Sequence, residues 1–324
     1  MGGRNVISGK SATQYQNSET ITINAVQMTT SQILSGNTQN NSITAGSGGA
    51  TLWGGNEGND TLTGGTGRDV FIYAASNGND TIKKFTSGTA ATGDVLNVSA
   101  EISSMTRNNG SLILSMSDGG TLTVEVGAEV DSAVQYSPQI GSSDTFKVKI
   151  GNTESKNNFT YDSNVEYYFG GNKENILNVS ESAEIWLDKE NFSNITEVNA
   201  ATSAGNNLLA GDSNNNTLIG GKGNSSLWGG TGGEDILTGG NGKNIFWYGA
   251  NEGNDKITNS KSDDTLNLYN VSLSDIVSIE EIKGGLKINI ASGSLEINGA
   301  IPVINLGDNT AWKYDSENST FNRQ

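Results

Sequence analysis

The chain contains no cysteine and no histidine among its 324 residues. Disulfides are therefore excluded, although the lack of cysteine does not by itself name a compartment. Zinc hydrolases built on histidine, Ser-His-Asp hydrolases and Cys-His nucleophiles are excluded with them. Paired carboxylates remain available in principle, but they fall mainly within turn motifs, where a metal-ligand role explains them better. No apolar run is long enough for a transmembrane helix. The opening residues Met1 to Val6 lack the apolar core of a signal peptide and read as the start of a fragment. Helical periodicity is almost missing; Ser272 to Ile282 is the one stretch where a short helix is expected.

Hydrophobic residues make up only 33% of the chain, low for a globular protein, while 43 glycines push the composition toward repeats. A stacked solenoid reconciles the two, because each short rung buries only one or two apolar side chains. The net charge is −16 and the pI near 4.3. Such a surface repels nucleic acid and anionic membranes and attracts divalent cations.

Two stretches repeat each other. Ala45 to Ile82 reads AGSGGATLW, GGNEGNDTLT, GGTGRDVFI, YAASNGNDTI. Gly220 to Ile257 reads GGKGNSSLW, GGTGGEDILT, GGNGKNIFW, YGANEGNDKI, in gapless alignment at an offset of 175. Gly-Gly-x-Gly makes a tight turn that few other residues allow. The triplet after it is a short strand with one side chain turned inward. Those inward residues are Leu52, Leu62 and Phe71 in the first copy, and Leu227, Leu237 and Phe246 in the second. Turn plus strand is half a coil, so alternate blocks stack on the same edge.

The blocks follow G-G-x-G-x-D-x-U-x, with U a large apolar residue, and here the chain resembles the RTX, or hemolysin-type calcium-binding, repeat family. The resemblance implies a calcium β-roll. It also implies export by a type I system, unfolded in low-calcium cytosol, with folding outside the cell. Calcium takes six to eight oxygen ligands, and stacked turns with their carboxylates can supply them. Binding free energy is then folding free energy.

The sixth position of each block decides which edge binds. One edge stacks Asn41, Asp60 and Asp80 in the first copy, and Asn216, Asp235 and Asp255 in the second. The other stacks Ala50 and Asp69, or Ser225 and Asn244, and reads as degraded, wholly so in the second copy. On that edge a metal-free glycine solenoid with Asn and Ser ladders is the preferred reading. On the carboxylate edge calcium is preferred. The expected metal-site residues are Gly58, Asp60, Asp69, Asn77, Asp80, Gly232, Asp235, Asn251 and Asp255. The turns GGNEGND and GGTGGED carry one residue more than their neighbours.

The expected fold is all-β: two parallel β-roll modules, each followed by an antiparallel hairpin that caps it. Residues 1–35 read as opening rungs or linker, 36–135 as the first roll with its hairpin, and 136–200 as a linking β segment. Residues 201–302 read as the second roll with its hairpin, and 303–324 as the start of a further linking segment or tail. The hairpins are expected over Ser111 to Gly127 and Leu286 to Asn298. An echo of Tyr161-Asp162-Ser163 at Tyr314-Asp315-Ser316 suggests a cut from a longer array. Trp53 and Ile72 should be neighbours on one sheet face, as should Trp228 and Trp247, with the flank covering them.

The leading function is a non-enzymatic, calcium-stabilised structural or adhesive segment of a secreted bacterial protein. The expected localisation is extracellular or at the cell surface. The expected partners are calcium ions and glycans or cell-surface components, with no nucleic acid and no membrane insertion. The alternatives are a carbohydrate-binding module using the outward Trp faces, and the accessory part of an RTX enzyme whose catalytic domain lies elsewhere.

Overall fold

The structure is a computed structural model that describes residues 20–86, 93–108, 111–126, 147–150, 156–171, 173–189, 191–300, 303–308, 310–315 and 320–323. Two compact units emerge. One holds residues 1–155 and 163–173, the other residues 156–162 and 174–324. Both are all-β solenoids built on parallel pairing, as the glycine blocks predict. Among the described residues no helix is long and apolar enough to cross a membrane.

In the first unit, alternate blocks enter two sheets. Thr22–Asn24, Ser42–Thr44, Thr61–Thr63 and Asn79–Phe85 pair in parallel in one. Gln32–Ser35, Ala50–Trp53, Val70–Tyr73 and Val95–Val98 form the other. Register stacks the inward residues Ile43, Leu62 and Ile82 above one another, and likewise Leu52, Phe71 and Leu96. All six are at most 1% exposed, so the narrow core is a set of side-chain columns about 4.8 Å apart. The expected opening rungs at Ile21–Ile23 and Ile33–Leu34 belong to this stack; residues 1–19 lie outside the described residues.

The second solenoid has longer columns. Phe159, Leu177, Val198, Leu218, Leu237 and Ile257 stack in one sheet. Ile185, Leu209, Leu227, Phe246, Leu266 and Ile304 stack in the other. The strands of residues 157–160, 175–178, 183–186 and 197–199 are thus rungs of this roll, where a separate linking segment was expected. They keep the inward apolar residue, but only the rung at 175–178 follows a glycine pair, Gly170-Gly171, and none has Asp at the start of its strand, so the sequence motif is incomplete. Lys147–Ile150 and Val165–Phe169 pair in parallel in the first unit.

Each hairpin forms where the alternation places it. Ser111–Met116 pairs with Thr121–Val126, and Gly285–Ile290 with Gly293–Gly299. The second strand of each lies parallel against the last long rung, Asn79–Phe85 or Gly253–Ser260. In both units the strand just before the hairpin in the chain, Ile102–Asn108 or Ile276–Ile282, pairs antiparallel with the hairpin's first strand. The short helix expected over Ser272 to Ile282 is only a 3₁₀ turn, Leu273–Asp275, closed by the Ser272–Asp275 capping box; β-branched residues then favour the strand. Residues 303–324 do not begin a new link: Val303–Leu306 adds a rung, and Ala311–Asp315 pairs antiparallel with Thr320–Arg323. Tyr314 lies in that hairpin while Tyr161 follows a roll strand, so their sequence echo marks no common structure. Residues 127–146, the end of the expected first module and the start of the expected link, lie outside the described residues.

Candidate metal centre

The carboxylates sit where strand meets turn, and each ties its rung to the next. In the first unit the Asn41 amide N–H donates to Asp60 Oδ1 (2.7 Å), and the Asp60 N–H donates to Asp80 Oδ1 (2.9 Å). The second unit repeats this, with Asn216 N–H to Asp235 Oδ1 at 2.7 Å and Asp235 N–H to Asp255 Oδ1 at 3.0 Å. This is the edge expected from sixth-position spacing. The second oxygen has a different fate. Asp60 Oδ2, Asp235 Oδ2 and Asp255 Oδ2 are buried with no hydrogen-bond partner. A buried carboxylate oxygen without a donor is costly, and an ion of opposite charge removes that cost.

The glycine pairs make room for this arrangement. A Cβ on Gly229 would fall 2.3 Å from Asp235 Oδ2, and one on Gly230 would fall 1.9 Å from the Asp212 carbonyl of the stacked turn. Gly54 and Gly55 do the same for Asp60 and the Asn37 carbonyl. The first glycine admits the carboxylate, and the second admits the neighbouring turn's oxygen. In the seven-residue turns Gly55, Gly58, Gly230 and Gly233 take positive φ. In the six-residue turns of the other edge, Gly65 and Gly240 stay outside the left-handed region, so close stacking and not φ demands glycine there.

Of the expected site residues, Asp60, Asp69, Asp80, Asp235 and Asp255 are all buried at these rung ends. Gly58 lies in its turn at φ 81°, but its counterpart is Gly233, not Gly232. Asn77 is buried, and its Oδ1 accepts from Ala74 N–H and Trp53 Nε1. The residue that does this in the second unit is Glu252, which accepts from Gly249 N–H and Trp228 Nε1. Asn251 is exposed and aligns with Ser76. The 175-residue offset would have identified Glu252.

The second edge is less degraded than its sequence suggests. Asp94 and Asp264 extend it, accepting from the Asp69 N–H and the Asn244 N–H at 2.7 Å each. Both begin a D-x-U triplet, Asp94-Val95-Leu96 and Asp264-Thr265-Leu266, but no Gly-Gly turn announces them. Among the described residues no three carboxylates converge as a metal cage. Turn carbonyls could supply further oxygens for an ion on the first edge, which suits a cation that accepts them.

Burial raises Asp60, Asp69, Asp80, Asp94, Asp235 and Asp255 above the usual carboxylate range. Desolvation is the main cause for all of them, lifting Asp60 and Asp94, Asp69 to about 6, Asp80 and Asp255 to about 7, and Asp235 to about 8. Neighbouring carboxylates add to the rise at Asp69, Asp80 and Asp235. A pKa raised on folding contributes stability at low pH that is lost as pH climbs through the folded value. In chelator, melting temperature should therefore fall between pH 5 and pH 8. Saturating calcium should flatten that slope by compensating the charge. Thermal melts across pH with and without the ion check this, and parallel slopes would contradict it.

Both rolls carry large apolar side chains outward in register, Trp53 beside Ile72 in the first and Trp228 beside Trp247 in the second. The second pair is half-buried, and its cover is not the hairpin, which extends the opposite sheet. Tyr269 lies 6.4 Å from each ring, and Trp186 packs edge-on to Trp228 at 6.1 Å.

A family model, the RTX calcium-binding nonapeptide repeat, matches residues 29–56, 54–83, 201–227, 210–246 and 230–257. These segments hold the glycine-block rungs of both units. They are RTX calcium-binding repeats. No curated protein matches the chain. Among solved structures, an extracellular lipase from Serratia marcescens is similar at 16% identity with a TM-score of 0.24. That match covers 89% of this chain and only 39% of the lipase structure. So distant a likeness carries no argument about activity. The RTX repeats and their carboxylate edge make calcium the fitting ion.

Proposed function

We propose that this chain is a calcium-stabilised structural or adhesive segment of a secreted bacterial RTX-type protein, without catalytic chemistry of its own, that folds when it meets calcium outside the cell. The supporting observation is the row of buried carboxylate oxygens at Asp60, Asp235 and Asp255 that lack any donor. An uncharged partner would leave them desolvated; a divalent cation removes the deficit and bridges stacked turns. Calcium when bound supplies that positive charge. The chain's own residues position it: glycines bring the turns close, and the Asp ladder fixes each carboxylate through its neighbour's N–H. The lack of histidine and cysteine supports a non-enzymatic role.

The test is calorimetric titration of calcium into chelator-treated protein, with circular dichroism melts on the same samples. An ion bound only to the folded state stabilises it by about 2.7 kcal/mol at a hundredfold excess over Kd. Magnesium, smaller and reluctant to lose water, should give much less. A melting curve indifferent to calcium and chelator alike would rule the reading out.

A further inference from the structure

The second edge of the second roll contains a cation that belongs to the chain. Lys261 Nζ donates to three successive turn carbonyls, Gly240 O at 2.7 Å, Asn241 O at 2.6 Å and Gly242 O at 2.9 Å. An ammonium has three donors, and all three are used on one turn. Among the described residues no carboxylate forms an ion pair with it. The lysine backbone is fixed as well, since its N–H donates to Asp264 Oδ2 at 2.9 Å. Asn244 completes the site, accepting from Gly240 N–H and donating to the Gly242 carbonyl.

The equivalent turn of the first roll is built differently. Gly65-Thr66-Gly67 replaces Gly240-Asn241-Gly242, and Thr86 stands where Lys261 does, its N–H donating to Asp94 Oδ2 at 2.8 Å. Asp69 there replaces Asn244. Where the turn carries an extra carboxylate it has no lysine, and where it has the lysine that carboxylate is an amide. We infer that Lys261 is the resident cation of this turn, its ammonium standing in for a metal ion, so that one edge of the roll is locked without calcium.

The comparison with calcium rests on the proposed function; the ammonium's hold on the turn does not. Lys261→Met keeps the aliphatic stem and removes the charge. Its melting temperature in chelator should fall by several degrees. Calcium should then restore more stability than it adds to the parent protein, with one additional weak binding event by calorimetry. Unchanged melting in chelator would overturn the inference, as would, in a parent that binds calcium, a loss that calcium restores no better than in the parent. If Lys261→Met does not fold, the double variant Asn244→Asp/Lys261→Thr decides, because it recreates the first roll's pair. It should fold in calcium, bind one more ion than the parent and melt lower in chelator. Equal melting in both conditions would sink the inference. A parent that binds no calcium would refute the proposed function, while the chelator melts would still judge the lysine.

Discussion

Asp235→Asn should cross over with calcium. With the ion present the variant should be less stable than the parent; in chelator near pH 8 it should be equally or more stable. The asparagine Oδ1 can still accept from Asn216 N–H, the bond that Asp235 Oδ1 makes at 2.7 Å. What disappears is a buried charge, held above the usual range by desolvation and by Asp255, Asp212 and Glu252. Without an ion that charge is a burden, so its removal costs nothing. With one, losing the site forfeits about 2.7 kcal/mol at a hundredfold excess over Kd. For a unit of this size that is roughly 5–10 °C in melting temperature. Asn244→Ala is the control. Asn244 is buried and bonded to its turn, so its loss should cost about 1–3 kcal/mol in either condition. Thermal melts of both variants decide the matter: if the Asp235 effect ignores calcium, no ion uses that carboxylate.

Gly230→Ala should be far more damaging than Gly232→Ala, two residues away in the same turn. Gly230 lies at φ 118°, and a Cβ there would fall 1.9 Å from the Asp212 carbonyl oxygen. Backbone strain and forced separation of stacked turns each cost about 1–3 kcal/mol. A Cβ on Gly232 meets nothing closer than Ser213 O at 3.7 Å, at a φ open to alanine. Alanine there restricts the unfolded chain and should be neutral or stabilising by up to about 1 kcal/mol. Denaturant melts of the two variants measure the difference. Similar stabilities would mean that the turns are not held in close contact.

Where glycine pairs mark the turns, the roll is legible in sequence, because a stack of rungs this tight tolerates no Cβ at those points. The inward column from Leu52 to Phe71 and the Asp60–Asp80 and Asp235–Asp255 ladders follow from spacing alone. The rungs at Phe159, Leu177 and Val198 are hidden because none begins on Asp and only one follows a glycine pair; Asn157 and Asn175 join them through side-chain amides instead. Asp94 and Asp264 escape notice because no Gly-Gly turn precedes either, although Asp264 lies nine residues after Asp255 and the hydrogen bond is the same in both units. Lys261 is invisible to any motif, since its ammonium meets a turn that lies 19 to 21 residues earlier.

That short reach along the chain governs how fast the protein can assemble. Neighbouring rungs pair residues about one coil apart, such as Ser42 with Thr61 and Thr61 with Thr81. The widest of the rung-to-hairpin pairings, Asn79 with Thr121 and Gly253 with Gly293, span only twice that. Doubling a loop adds only about 0.6 kcal/mol to its closure, and each intervening hairpin can close on itself beforehand within microseconds. Low sequence separation between contacting residues makes for rapid folding. A chain that emerges unfolded can therefore nucleate at any rung and grow by its nearest neighbours, with a rate set by the slowest rung and not by its overall length.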